Sequence, residues 1–298
     1  MRELLPALSS AVVIMTPLLL AAAGGLFTEL SGRLNIALEG LMLTGAFFAI
    51  LAAHYTGSLF AALALAALAS TALSALLAFT SLKLRSNLFI AGLAANLLAG
   101  GLAVVLSQRF FGTRGVVVLR DFARAPVIRV PLLERVPVLG ELLSGNSVFV
   151  YAGLALLALS WLALYKTPFG YRLRACSGSE EALVSLGVRP DLYRWAAFLI
   201  SGFLCGISGA FLSLHIGVFV PGMTAGRGWM ALVVIFLGLR RPAGILAAAF
   251  ALGLAEALSN FAQGFDAPAD FALALPYFLT LVAMILVSIW DKRRNGVR

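Results

Sequence analysis

Long apolar runs separated by short polar links set the pattern of this chain. The runs fall near residues 5–26, 36–53, 58–80, 88–111, 148–165, 194–213, 225–238, 242–261 and 271–290. Most approach the roughly 20 apolar residues that a helix needs to cross a hydrocarbon layer, and at that depth a segment must satisfy its own backbone, as a helix does. The pattern predicts an all-α integral membrane protein of about nine transmembrane helices, with eight to ten compatible with the same runs. Residues 1–298 then make a single transmembrane domain.

Two longer polar intervals interrupt the runs. Residues 112–147, with Pro126, Pro131 and Pro137 among Val, Leu and Arg, read as an extracytoplasmic cap. Residues 166–194, KTPFGYRLRACSGSEEALVSLGVRPDLYR, contain a short helix with both ends marked. Ser177 to Glu180 spells S-x-x-E, a capping box in which the hydroxyl accepts from an early N–H and the carboxylate reaches back. Gly187 stops that helix and Pro190 prevents its restart. Ala182, Leu183 and Leu186 fall on one side at i, i+1 and i+4, a small apolar face that something must cover.

Composition agrees with the pattern. Hydrophobic residues make up 61% of the chain and charged residues 12%, against about 25% charged in soluble domains, and the mean hydropathy is +1.00. The net charge of +9 does not point to nucleic acid, because the Lys and Arg sit in the links and act as topology signals. They place 166–194 and the C-terminal tail in the cytoplasm, with Arg33, Lys83, Arg85, Arg240 and Arg241 on the same side. Two points resist: 112–147 falls outside although it carries Arg114, Arg120, Arg124, Arg129 and Arg135, and nine spans put the N-terminus outside. A re-entrant segment near 27–48 or 211–229 removes the second conflict. The first apolar run lacks a small-residue cleavage site and is expected to be retained. Cys176 and Cys205, one in a polar loop and one in an apolar run, are not expected to pair.

Polar groups inside apolar runs are expensive, about 2.5 to 3.5 kcal/mol for a central charge on insertion scales, and so are functional candidates. Glu39 stands four residues after Asn35, and either lines a pathway or sits beside the helix start that Asn35 caps. Glu256 and Asn260 lie one turn apart, facing a solute pathway or a neighbouring helix. Asn96, between Gly92 and Gly100 at i+4 spacing, marks a close-packing face, and Gly202, Gly206 and Ala210 mark another. Pro221, Gly222, Gly226 and Gly228 break the chain near Arg227 and Trp229, as a surface loop or as a broken, pore-lining helix. His54 and His215 lie near span ends. GRLNIAL at 32–38 and GRGWMAL at 226–232 share Gly, Arg, Ala and Leu at the same spacing. An echo between the second span and the seventh inverts the direction of travel and suggests inverted-topology halves. No metal-spaced His/Cys cluster, Ser/His/Asp set or phosphate-binding loop occurs, which argues against an intrinsic ATPase, hydrolase or other enzyme.

The string LLLAAAGGLFTELSGRLNIALEGLMLTGAFFA resembles the N-terminal signature of permease subunits of bacterial ABC importers in the sugar, nucleoside and branched-chain amino acid group. SGRLNIALEG, TPFGYRLRACSGSEEALVSLGV, GFLCGISGAFLSL, GMTAGRGWMALVVIFLG and LAEAL are similar to the nucleoside-type branch, and the resemblance covers nearly the whole chain. It departs in the loop, where such relatives more often carry Asn and Pro ahead of the Glu, and in the cap, which has no familiar motif.

The resemblance implies a transmembrane importer subunit in the bacterial cytoplasmic (inner) membrane with its C-terminus in the cytoplasm. The implied partners are a second permease in a heterodimer, membrane lipid, an extracytoplasmic binding protein, often a lipoprotein, and a cytoplasmic ATPase that carries the ATP and Mg. This chain is implied to bind no cofactor. The solute is expected to be a nucleoside or a similar small polar ring compound. Riboflavin or a simple sugar on the same scaffold, and an ion-coupled secondary transporter using Glu39 and Glu256, are the alternatives. The resemblance makes the loop helix a coupling helix docked on the ATPase through Ser177, Glu180, Ala182, Leu183, Leu186 and Gly187. Phe27, Glu39, Asn96, Arg227, Trp229, Glu256 and Asn260 are then the candidate pathway residues, with Phe27 or Trp229 available to stack on a ring.

Overall fold

The computed structural model describes residues 4–119, 126–128, 145–178 and 180–262. Its helices are α1 (Leu4–Leu30), α2 (Leu38–Thr56), α3 (Leu59–Ala78), α4 (Leu88–Phe111), α5 (Val148–Lys166), α6 (Pro168–Ala175), α7 (Glu180–Ser185), α8 (Pro190–Ile216), α9 (Arg227–Leu237) and α10 (Pro242–Ala262). A π-helical turn, Phe79–Lys83, extends α3. Seven of these helices are long and apolar enough to cross a membrane. The expected span at 225–238 is the 11-residue α9, about 16 Å long at the usual rise and too short to cross alone. The expected span at 271–290 and the C-terminal tail lie outside the described residues, so nine spans are not established.

Local chemistry sets the helix ends. Asn87 starts α4 by accepting from the Phe89 and Ile90 N–H groups at 2.9 and 3.4 Å. Ser147 starts α5 by accepting from the Phe149 N–H at 3.3 Å, and Gly217 ends α8 in the left-handed region at φ +69°. Pro190, expected only to block a helix, is the first residue of α8; its missing N–H costs nothing where the helix has no partner for it.

The centre of the bundle is α1, α2 and α8, with 89% of the apolar stretch of α1 buried against 22% of that of α4. The small residues of α8 permit this, as the spacing predicted. A Cβ at Gly202 would meet Ser74 and Thr71 of α3, and one at Gly206 would meet Ala66 and Ala67. Serines tie the helices across these contacts, Ser74 Oγ donating to the Phe198 carbonyl and Ser208 Oγ to the Pro17 carbonyl, both at 2.6 Å. Such interhelical bonds contribute about 0.6 kcal/mol each.

The bundle has two ends. At one, α6, α7 and the turn at 31–33 lie together, Gly32 against Ser177, and Arg240 pairs with Glu29 at 2.8 Å. At the other, strand β1 (Val117–Val118) pairs antiparallel with β4 (Val218–Phe219), and β2 (Val127–Ile128) with β3 (Asn146–Ser147). Phe47 packs edge-on to Phe219 there, with ring centroids 5.3 Å apart. Most of the expected cap, residues 120–125 and 129–144, is outside the described residues.

The chain is non-helical at 31–37 and at 217–226, on either side of the centre. These breaks let α2 and α9 begin beside one another inside the bundle. From that meeting point α2 runs toward the strand end, where His54 packs on Phe111, and α9 runs toward the loop end and Arg240. Of the two echoing segments, 32–38 is the non-helical approach to α2, whereas 226–232 is the cap and first turns of α9.

Candidate functional site

The loop-end surface is built on α7. Glu180 opens this six-residue helix, so Ser177 lies three residues ahead of it in the closing turn of α6, its N–H on the Arg174 carbonyl at 3.3 Å. The expected capping box is not made. Glu180 instead takes a 2.8 Å ion pair from Arg194 of α8, which also faces Asp191 at 3.6 Å. Arg194 itself is buried, so it pins the start of α7 to α8. Its hydrogen bond holds the Glu180 carboxyl below the ordinary value, Arg33 adding to the effect. Burial between α6 and the start of α8 pushes the Cys176 thiol up. Gly187 ends α7 as expected, at φ +75°, with its N–H on the Val184 carbonyl and the Val188 N–H on that of Leu183, at 2.9 and 3.0 Å.

Those two bonds correct the apolar face. They form a motif that packs the residue after the glycine toward the residue whose carbonyl it bonds, and Leu183 is 7% exposed, inside its own chain. Leu186 at 77% and Val184 at 58% are the large apolar groups that α7 presents outward, beside the exposed Ala182. Periodicity groups Ala182, Leu183 and Leu186 on one side but does not say which of them the rest of the chain covers, and Leu183 is the one that is covered.

The second site lies where α2 and α9 meet. Both oxygens of Glu39, in the first turn of α2, accept from backbone at the start of α9: Oε1 from the Gly226 N–H at 2.9 Å and Oε2 from the Gly228 N–H at 2.6 Å. The carboxylate therefore lies between two positive helix ends, an arrangement that stabilises the negative charge. Asn35 is not the simple cap expected. Its Oδ1 accepts from the Ala37 N–H at 2.9 Å while its Nδ2 donates to Ser201 Oγ at 3.0 Å, fixing the approach to α2 against α8. Asn96 bonds α2 on both sides of Glu39, accepting from the Gly40 N–H at 2.7 Å and donating to the Ile36 carbonyl at 3.1 Å.

Arg227, between the two glycines, donates to Glu256 of α10 at 2.6 Å. The pairing offsets the cost of a charge in an apolar span. Arg227 and Asn260 line a cavity of about 640 Å³ between α1, α8 and α10, together with Ser9, Ser10, His215 and Phe211. A cavity of this size takes a small organic solute. Five sequence-named candidates thus converge: Glu39 holds the backbone on both sides of Arg227, Arg227 pairs with Glu256, Asn96 braces the start of α2, and Asn260 shares the cavity. Trp229 is half exposed beside the same helix start. Phe27 is excluded as a stacking group, because it is 2% exposed in the main core. Among the described residues no His/Cys/Asp/Glu group is placed to hold a metal.

Residues 7–288 match the family described as branched-chain amino acid transport system / permease component. The chain belongs to this permease family. The nucleoside ABC transporter permease protein NupC of Lactococcus lactis subsp. cremoris (strain MG1363) is 30% identical over 92% of this chain and 90% of its own length. The guanosine ABC transporter permease protein NupQ of Bacillus subtilis (strain 168) is 32% identical over 92% of this chain and 89% of its own. The fold is similar to that of a metal-chelate type ABC transporter in an inward-facing conformation, with a TM-score of 0.50 at 18% identity, over 94% of this chain and 85% of that one. The permease is therefore the multi-pass transmembrane subunit of an ABC importer, and the ion-coupled carrier alternative is set aside.

Proposed function

We propose that this permease passes a nucleoside inward across the bacterial inner membrane, with the 166–194 loop and the C-terminus in the cytoplasm. The observation that carries the substrate class is the pair of relatives named for a nucleoside and for guanosine, each aligned over nine-tenths of this chain. The cavity supports it, since Phe261, 40% exposed, offers an aromatic surface and Arg227, Asn260, Ser9 and Ser10 offer polar groups for a ring with a sugar. Arg227, Glu256 and Asn260 are the pathway residues in this reading, with Glu39, Asn96 and Trp229 around them. A second permease completes the pathway, and an extracytoplasmic binding protein delivers the solute.

ATP and Mg act on a separate cytoplasmic ATPase. Leu186, Val184 and Ala182 dock into it as a helix in a groove, with Glu180, Leu183 and Gly187 holding α7 in shape and Ser177 closing α6 ahead of it. The test is uptake of labelled guanosine into proteoliposomes holding the complete importer. Uptake that requires ATP and the binding protein is expected, and guanosine exclusion with riboflavin or ribose accumulation instead would overturn the nucleoside reading.

A further inference from the structure

We infer that residues 32–40 are a strut that carries movement of the docking loop to the start of α9, with Glu39 as its hook and Asn96 as its brace. The inference rests on the proposed docking of α7 on an ATPase. At the input end Gly32, at φ +79°, lies so close to the loop that a Cβ there would stand 3.2 Å from the Ser177 Cα. Arg33 acts electrostatically on Glu180, the first residue of α7. At the output end Glu39 grips the backbone on both sides of Arg227.

The stretch between is held in shape by side chains of other helices, Asn35 to Ser201 and Asn96 to the backbone at 36 and 40. A non-helical segment bonded in this way moves as a unit and does not absorb displacement in its own dihedrals. Gly228 leaves no slack at the hook, since a Cβ there would overlap the Glu39 backbone. Displacement of α7 is thereby delivered to Arg227 and the cavity.

Because a carboxylate accepts both N–H groups and an amide presents a donor to one of them, Glu39→Gln loosens the hook while keeping its size. The assembled importer in nanodiscs, with Trp161, Trp195 and Trp290 replaced by Phe, reports the start of α9 through Trp229 fluorescence. With Glu39 intact, ATP plus vanadate should shift that emission. In Glu39→Gln the ATPase should stay bound, while the shift disappears and guanosine transport falls at least about ten-fold, as expected when a coupling interaction of the usual size is lost. Glu39→Asp, which keeps two acceptor oxygens, should recover part of both. If Glu39→Gln does not accumulate, Asn96→Leu removes the brace and should give the same pattern.

A shift and transport within two-fold of the parent in these variants overturn the strut. Leu186→Asp separates the two readings. Loss of the ATPase from it beside normal transport in Glu39→Gln overturns the strut alone, and an ATPase still bound to it overturns the docking surface and with it the input of the strut.

Discussion

Glu39 and Glu180 each stand in the first turn of a helix, and each is held by donors from another element, yet they are held for different lengths of reach. Glu180 meets Arg194, 14 residues along, and more than half of its side chain is exposed. Glu39 meets Gly226 and Gly228, at sequence separations of 187 and 189, in a place where backbones touch. The first contact shapes a surface that faces water, and a water molecule can replace it cheaply. The second joins two halves of the chain where the bundle offers few alternative partners, so removing it leaves N–H groups without acceptors. Surface shape and long-range linkage are thus assigned to two carboxylates with the same local position.

The sharpest break of this contrast is at Gly228. Gly228→Val forces the α9 backbone off Glu39, and overpacking there should cost about 3 kcal/mol, seen as a large drop in thermal stability of the detergent-purified subunit. An unchanged melting temperature would mean that the two helix starts do not touch. Arg194→Met comes next. It removes the donor to Glu180 while leaving the buried stem, and a charge-assisted bond of this kind contributes about 1.5 to 3 kcal/mol, discounted here because Glu180 is half exposed. The expected outcome is faster protease cleavage in 176–189 with intact spans.

Leu186→Asp should alter stability by no more than about 0.5 kcal/mol, as for other exposed positions, yet abolish copurification of an ATPase. Leu183→Asp should loosen α7 itself, because it puts a charge where the chain packs on itself. Equal behaviour of the two would return Leu183 to the outward face. The smallest effect is that of pH. The Glu180 carboxyl is lowered in the folded chain, so its contribution is fully present above the unfolded value near 4.3 and is lost as pH falls through the lowered folded value. Protease protection of the loop should decline only in that acidic window, and Glu180→Gln should flatten the profile.

The spans were legible because apolar length is a one-dimensional signal, and seven of the expected runs are helices of spanning length. α9 was misjudged for the same reason: its 11 helical residues continue an apolar run, and hydropathy does not register where a helix begins. The glycines at 222, 226 and 228 did carry that information, since the chain break they announced is the non-helical stretch at 217–226. Glu39 was picked out by its cost in an apolar run, but its partners are backbone N–H groups, which no side-chain pattern announces.

Arg194 was counted only as a topology charge; its role depends on α8 starting at Pro190, four residues earlier than the apolar run. Leu183 was placed outward although Gly187 carried the correcting signal, since a glycine that ends a helix in this way draws the residue four before it toward the chain that follows.

The central claim is that this permease transports a nucleoside only as part of an ATP-driven assembly. The most direct measurement is guanosine uptake by proteoliposomes containing the permeases, the ATPase and the binding protein, with ATP supplied on the ATPase side or withheld. Uptake that needs ATP and is lost in Leu186→Asp is expected. Uptake by this chain alone under a proton or sodium gradient would contradict it.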